Sequence, residues 1–405
     1  MTPHCLILSS EYPPFAVGGV GRYVFELAGR MHSRVPTTVM LVPTYRCFGC
    51  AGDAAVSEPA SADGRSPRVR MANGAYRNAL LGAGTASGFG AVEAVARALA
   101  RQLIGDGVST RPSHVLVQDY ALAPVAAALQ ELLPALCVVA ACHLPVFAGF
   151  TYFDKPVGDA MHQVLEAKLV HLADRVIVPS RFAAGVLTIT HNVAPGKLVV
   201  LPLGVHRPAA LVPPPAGPLR LLAIGRPTEQ KGHHFLFEAL RDLLREDPGT
   251  RLTVVTGDRN DQRIAALGQA FGVAAQVDVA PPTAPDAIWP LIDRHDMLVT
   301  TSLYETFGLA VLEAMASRRP TVGFAVGALT ELWGGALSAD FATPLCRVDG
   351  LVARIRALVG DPERCRQLGH AAWRRAQEFS WEAHVDRLLA EMAVAEAESG
   401  EVVAS

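Results

Sequence analysis

The stretch "KLVVLPLGVHRPAALVPPPAGPLRLLAIG", Lys197 to Gly225, decides how the fold is read. An apolar run ends near Val205, and His206 to Arg220 then holds five prolines and one glycine in fifteen residues. That is too many for a regular element, because proline fixes φ and removes a backbone donor. The segment reads as a linker, semi-rigid where Pro213 to Pro215 run together. A strand-like run then restarts at "LRLLAIG" (219–225). Two α/β halves joined by a proline-rich hinge follow from this one break.

Working outward, short apolar runs alternate with helical patterns on both sides. Before the hinge the strand-like runs are 4–10, 37–43, 114–118, 136–142 and 175–179, with helix-like stretches near 19–32, 90–104, 121–133 and 158–173. After it come 219–225, a helix from about 231, then runs at 251–257, 276–280 and 296–302 separated by helices. Such alternation predicts parallel sheets covered on both faces. The expected division is 1–205 and 206–380, with a C-terminal amphipathic helix at about 381–396 packing back on the first half and an acidic tail fraying after Ala395. Open α/β sheets bind ligands beyond the carboxyl ends of their strands, so two facing halves imply a cleft. Residues 46–90 break the rhythm and read as a long loop with one strand candidate at 67–72.

Composition removes several function classes. Half of the 405 residues are hydrophobic and 18% are charged, which suits α/β domains with large cores. The 36 basic and 38 acidic residues leave a net charge of −2 with no basic stripe, against nucleic acid as a partner. Seven scattered cysteines favour a reducing, cytoplasmic setting over a disulfide framework. Cys47 and Cys50 have redox or metal spacing, but no second pair or histidine completes a site, so no metal is expected. The N-terminus enters an apolar strand without a basic n-region. Leu132 to Phe150 is uncharged and nearly spans a membrane in length, but Pro134, Pro145 and His143 interrupt it, so a buried central strand is the better reading.

The residues that carry chemistry sit at strand ends. In "TSLYETFGLAVLEAMASRRP" (301–320), Glu305 and Glu313 flank an uncharged segment. A helix starting near Gly308 places Thr306, Phe307, Gly308 and Leu309 at its N-terminus, where free N–H groups favour an anion. Helical rise puts the two carboxylates roughly 10 Å apart, a spacing that suits hydroxyl-bearing groups on either side of a diphosphate. In "AIGRPTEQKGHHFLFEAL" (223–240), Arg226 and Lys231 stand at a strand-to-helix turn and can grip adjacent phosphates. After the first strand, Gly18, Gly19 and Gly21 let a ligand approach the backbone. This loop fails as a dinucleotide fingerprint, since its first glycine lies eight residues past Ser10 and no acid follows the second strand. His143 and Asp119 occupy strand ends too, and His143 could bond a sugar hydroxyl or stabilise developing charge. Taken singly, each feature also fits a solvated turn, a helix cap or a structural histidine.

Together, the glycine loop, His143, "VIVPSRF" (176–182), "LPLGV" (201–205), "GR…KG" (225–232), "TGD" (256–258), "ETFGL…EAMA" (305–316) and "FSWE" (379–382) resemble a retaining glycosyltransferase of the GT-B fold, family 4 type. The resemblance spans nearly the whole chain and implies two Rossmann-like doubly wound domains. It implies that Glu313 binds the nucleotide ribose, Glu305 the donor sugar, and Arg226 and Lys231 the diphosphate, helped by N–H groups of Phe307, Gly308 and Leu309. Gly18 and Gly19 would approach phosphate or acceptor, and His143 the donor sugar. The co-substrate would be a nucleotide sugar, UDP-linked in preference to GDP-linked, and no metal or other cofactor would be needed. A small-molecule acceptor such as an antibiotic precursor is expected from the Ala-, Arg- and Pro-rich composition and the unusual stretch 46–90; a polysaccharide or lipid acceptor and an inactive sugar-nucleotide binder are the alternatives. No integral membrane segment is expected, and the oligomeric state is left open, a homodimer included. Three departures stand out. Arg318 replaces the usual glycine after EAMA-x, Gly327-Ala328 replaces a glycine pair, and Leu203-Gly204-Val205-His206 replaces Asn-Gly-Val-Asp.

Overall fold

A computed structural model describes residues 4–13, 18–44, 67–72, 74–81, 88–105, 111–146, 160–207, 211–256, 262–281 and 287–404. The chain divides into two compact units, Met1–Pro202 with Trp381–Ser405, and Leu203–Ser380. The division falls at Pro202–Leu203 rather than after 205, because Val205 N–H already donates to Phe379 O at 2.9 Å within the second unit.

The first unit is built on seven strands: β1 (Cys5–Ser9), β2 (Thr37–Leu41), β3 (Arg68–Met71), β4 (His114–Val117), β5 (Cys137–Ala141), β6 (Arg175–Val178) and β7 (Leu198–Val200). They are parallel throughout, in the order β3-β2-β1-β4-β5-β6-β7. Strands β1, β2, β4, β5 and β6 are buried at every position, which is why they read as continuous apolar runs. One core cluster joins alternate strand residues such as Leu6, Leu8, Val115, Val117, Val138 and Ala140 to the helices Gly88–Gly105 and Ala123–Leu132.

The second unit repeats the plan with β8 (Arg220–Ile224), β9 (Arg251–Val255), β10 (Val277–Ala280), β11 (Met297–Thr300), β12 (Thr321–Phe324) and β13 (Ala342–Thr343). Its order is β10-β9-β8-β11-β12-β13, again parallel. In both sheets the first strand of the unit has neighbours reached by oppositely directed windings. The order reverses between β1 and β4, and again between β8 and β11. Those two points are where doubly wound sheets open a crevice for ligands.

Three expectations need correction. The stretch 46–90 is not loop throughout: helix Ala75–Leu81 follows β3, and Tyr76 anchors it by donating to Ala121 O at 2.6 Å. Residues 45–66 lie outside the described residues, as do Cys47 and Cys50. Strands β7, β12 and β13 were not expected; each is short, two to four residues, at or near the growing edge of its sheet. The C-terminal helix runs Trp381–Ala404 rather than stopping near 396. Its acidic end is held because Arg175 of β6 reaches Glu398 at 2.8 Å and lies 3.8 Å from Glu391.

The same helix locks onto the helix Gly19–His32 through a buried aromatic cluster. His384 Nδ1 faces Pro202 O at 2.8 Å, and a carbonyl can only accept, so Nδ1 carries the proton. Nε2 therefore accepts from Tyr23 OH at 3.0 Å. Burial pushes the His384 imidazole down to about 4. Burial likewise lowers His233 and His295 in the second unit. A histidine whose folded value lies below its unfolded value near 6.5 contributes stability above about pH 6.5, lost as pH falls toward the folded value. For His384 alone the loss is about 2 kcal/mol by about pH 5. Urea midpoints should therefore fall between about pH 7.5 and 5, and His384→Leu should flatten that slope. A slope unchanged in the variant would show that the ring is not held neutral.

Candidate functional site

At the β8/β11 reversal, two loops are cross-laced. Thr301 Oγ1 donates to Lys231 O at 3.1 Å, Leu303 N to Gln230 O at 2.7 Å, and Gln230 Nε2 to Tyr304 O at 3.0 Å. One further contact is ionic: Lys231 Nζ lies 2.7 Å from Glu305 Oε2, with Ser302 Oγ 3.5 Å from the same oxygen. Lys231 rises over Gly225, where an added Cβ would meet the lysine stem at 3.0 Å. Gly232 has φ +58°, and a Cβ there would sit 2.3 Å from Thr301 O. Only glycine lets the two loops approach this closely.

Arg226 is exposed at the end of β8. Its carbonyl accepts from His233 Nε2 at 3.2 Å and from Thr228 N at 2.8 Å, so the turn carrying the guanidinium is fastened from beneath. His233 is buried, neutral by desolvation, and has its Nε2 proton committed to this bond.

The other anticipated residues lie along the next helix, Leu309–Ala316. Gly308 is its N-cap at φ +94°, where a Cβ would stand 2.6 Å from Leu329 Cδ2. Thr306 and Phe307 are buried, Phe307 lying edge-on to Phe379 at 5.9 Å. Glu313 is a buried carboxylate on the same helix, 7% exposed. The second unit thus brings Arg226, Lys231, Glu305, Thr306, Phe307, Gly308, Leu309 and Glu313 to one edge of one sheet. Two cations, a helix N-terminus and two carboxylates there can bind a diphosphate and flanking hydroxyls.

Gly18, Gly19 and His143 belong to the first unit. Gly18 precedes the helix Gly19–His32, and a Cβ at either glycine meets nothing within 4 Å. The loop is not an empty cradle, however. Glu11 Oε2 accepts from Gly18 N at 3.0 Å and from Gly21 N at 3.2 Å, so an internal carboxylate occupies two N–H groups of the glycine segment. That revises the expectation for Gly18: its N–H is committed to Glu11. Across the β1/β4 reversal Ser10 Oγ donates to Asp119 Oδ2 at 2.7 Å, and Asp119 Oδ1 accepts from Ala121 N, giving Asp119 a turn-forming role. His143 Nε2 lies 2.8 Å from Gln118 Oε1, and its ring stands edge-on to Tyr23 at 4.5 Å. Sequence reasoning passed over Glu11, Gln118 and His233. The strand-end argument that picks out His143 and Asp119 reaches Glu11 and Gln118 equally.

The departures also find places. Arg318 adopts φ +56°, a left-handed conformation, and its guanidinium covers the Trp373 ring at 4.7 Å. Arg319 is 1% exposed and donates to Val212 O, Pro213 O and Asp293 O at 3.0–3.2 Å, fixing the proline-rich segment to the second unit. Burial lowers its guanidinium, opposed by Asp293 and Asp296. Ala328 N donates to Glu305 O at 2.9 Å, so the residue replacing a glycine touches the backbone of a candidate site residue. Among the described residues no group of three or more histidines, cysteines or acids is placed to hold a metal, and no helix is long and apolar enough to cross a membrane.

Comparisons with known proteins agree with the two-unit fold. Residues 17–207 match the family model "Glycosyltransferase Family 4" and residues 211–375 match "Glycosyl transferases group 1". A glycogen synthase of Mycobacterium tuberculosis is 27% identical over 93% of this chain and 91% of its own length. A D-inositol 3-phosphate glycosyltransferase of Segniliparus rotundus is 32% identical over 56% of this chain and 53% of its own. Among solved structures, sucrose-phosphate synthase from Thermosynechococcus elongatus superposes with a TM-score of 0.78 at 19% identity, covering 97% of this chain and 100% of that one. Anabaena HepE in complex with UDP and glucose gives 0.69 at 16% identity, over 96% of this chain and 99% of that one.

Proposed function

Since the chain belongs to the family 4 type of GT-B glycosyltransferases, enzymes that move a sugar from a nucleotide sugar, we propose that it transfers the sugar of a UDP-linked donor to an acceptor hydroxyl with retention at the anomeric carbon. One observation carries this reading: at the sheet reversal of the second unit Lys231 pairs with Glu305 at 2.7 Å, between the turn that carries Arg226 and the N-terminus of the helix Leu309–Ala316. In this reading the diphosphate lies against Arg226 and Lys231 and the N–H groups of Phe307 to Leu309. Glu313 takes the ribose hydroxyls, Glu305 the sugar hydroxyls, and His143 bonds the donor sugar. The bond from the anomeric carbon to the phosphate oxygen breaks as the bond to the acceptor oxygen forms on the same face. The acceptor proton passes to the departing phosphate oxygen. Arg226 and Lys231 neutralise the negative charge that grows there, the largest kind of contribution a site can make, so the proposal requires no metal.

The acceptor we propose is a hydroxyl of a carbohydrate or polyol. Glycogen synthase and D-inositol 3-phosphate glycosyltransferases stand among the relatives, and the antibiotic-type acceptor expected from composition finds no support there. An inactive sugar-nucleotide binder is the competing reading, and retention of both cations and both carboxylates speaks against it. Thermal stabilisation across UDP-, GDP- and dTDP-sugars tests the donor. A ligand at ~100 times its dissociation constant adds about 2.7 kcal/mol, and the UDP-sugars should give the largest rise. NMR of the product should show the donor's anomeric configuration. An inverted product, or stabilisation by none of the panel, would refute the reading.

A further inference from the structure

Gln118 follows β4 at the sheet reversal of the first unit and is 3% exposed. Its amide oxygen lies 2.8 Å from His143 Nε2. Its amide nitrogen is buried and has no hydrogen-bond partner among the described residues. A buried amide left half unsatisfied is costly, and a leucine or methionine would fill the same volume without that penalty. The satisfied half is the one on the histidine. An amide oxygen only accepts, so this contact requires the proton on Nε2 and puts the ring's lone pair on Nδ1. Tyr23 fixes the plane of the same ring from the side, at 4.5 Å between centroids. The titratable groups on the surrounding elements include Cys142, Tyr120, Tyr23, His384, Asp119, Glu11 and Glu166, and burial raises the Cys142 thiol. Burial raises Tyr23 and lowers His384, so both are uncharged at neutral pH. Glu11 and Asp119 accept backbone N–H groups of their own loops, and Glu166 accepts from Val146 N and pairs with His191 at 2.8 Å.

We propose that Gln118 is a positioning residue for His143, holding its imidazole in the Nε2–H tautomer and in one orientation. Its catalytic consequence rests on the reading above, in which His143 bonds the donor sugar. A ring free to exchange tautomers would present the correct atom to a hydroxyl only part of the time, whereas Gln118 makes that arrangement permanent.

Ring nitrogen shifts of the full-length, 15N-histidine-labelled protein read the tautomer directly, with His143→Gln identifying the signal. The wild type should show Nε2–H alone. Gln118→Met should give a mixture of tautomers and about tenfold lower kcat on UDP-glucose with KM within about twofold, since orientation rather than donor affinity is lost. Gln118→Glu should restore the single tautomer, raise the ring pKa by about one unit or more, and recover part of kcat, because a carboxylate opposite the ring favours its charged form. An Nδ1–H tautomer in the wild type would overturn the proposal, as would a single unchanged tautomer with unchanged kcat in Gln118→Met. The tautomer needs no turnover to be read. A protein that holds it but processes no sugar nucleotide refutes the proposed function alone.

Discussion

Lys231→Ala should lower kcat/KM for the nucleotide sugar about 100- to 1000-fold, the range found when one group that stabilises developing transition-state charge is removed. Two effects act in the same direction. The ammonium that would neutralise the leaving diphosphate is gone. In addition, Glu305, now 2.7 Å from Lys231 Nζ, is left with an uncompensated carboxylate beside the proposed diphosphate site. The pair is partly screened, with side chains 24% and 15% exposed, so folding stability should change far less than activity. Steady-state kinetics and a melting curve on the same sample separate the two. The double variant Lys231→Ala/Glu305→Ala should lose less than the sum of the single losses, because the second change removes the stranded charge. A Lys231→Ala enzyme within about threefold of wild type would mean that the phosphate grip lies elsewhere.

Gly232→Ala should destabilise the protein by about 3 kcal/mol or more. The methyl would stand 2.3 Å from Thr301 O, and at φ +58° the backbone resists a side chain even in open space. The obstacle is backbone at the end of β11, not a side chain that can swing aside. Relief requires the loops after β8 and β11 to separate, which breaks the bonds from Thr301 to Lys231 and from Leu303 to Gln230. Urea unfolding measures the loss, and UDP titration should show weakened binding in whatever remains folded. Gly18→Ala is the control: φ is −166° and its Cβ meets nothing within 4 Å, so it should keep the wild-type unfolding midpoint. A cost below about 1 kcal/mol for Gly232→Ala would show that the loops are not held together there.

The two-part α/β plan is legible in the sequence because parallel strands buried on both faces become uninterrupted apolar runs. β1, β4, β5, β8 and β11 all announce themselves this way. β12 does not, since it follows Arg318-Arg319-Pro320, which reads as a polar turn until Arg319 is seen buried against Val212, Pro213 and Asp293. Helix Ala75–Leu81 hides in a Gly-, Ala- and Ser-rich stretch, and it is held by Leu80 in the core and by Tyr76 reaching Ala121, 45 positions away. The length of the C-terminal helix depends on Arg175, 223 residues earlier than Glu398. At the candidate site, residue types were legible, but pairings were not. Lys231 and Glu305 lie 74 positions apart, and their contact follows only from β8 and β11 being neighbours. Glu11 escaped notice inside "EYPP" because its partners, Gly18 and Gly21, read as glycines that let a ligand approach the backbone.

The most direct test of the central claim is a crystal structure of the protein soaked with a UDP-sugar. Diphosphate oxygens should be found about 3 Å from Arg226 and Lys231 Nζ, with the ribose on Glu313 and the sugar on Glu305. A diphosphate bound elsewhere, with Lys231 and Glu305 still paired as they are in the free protein, would contradict the account.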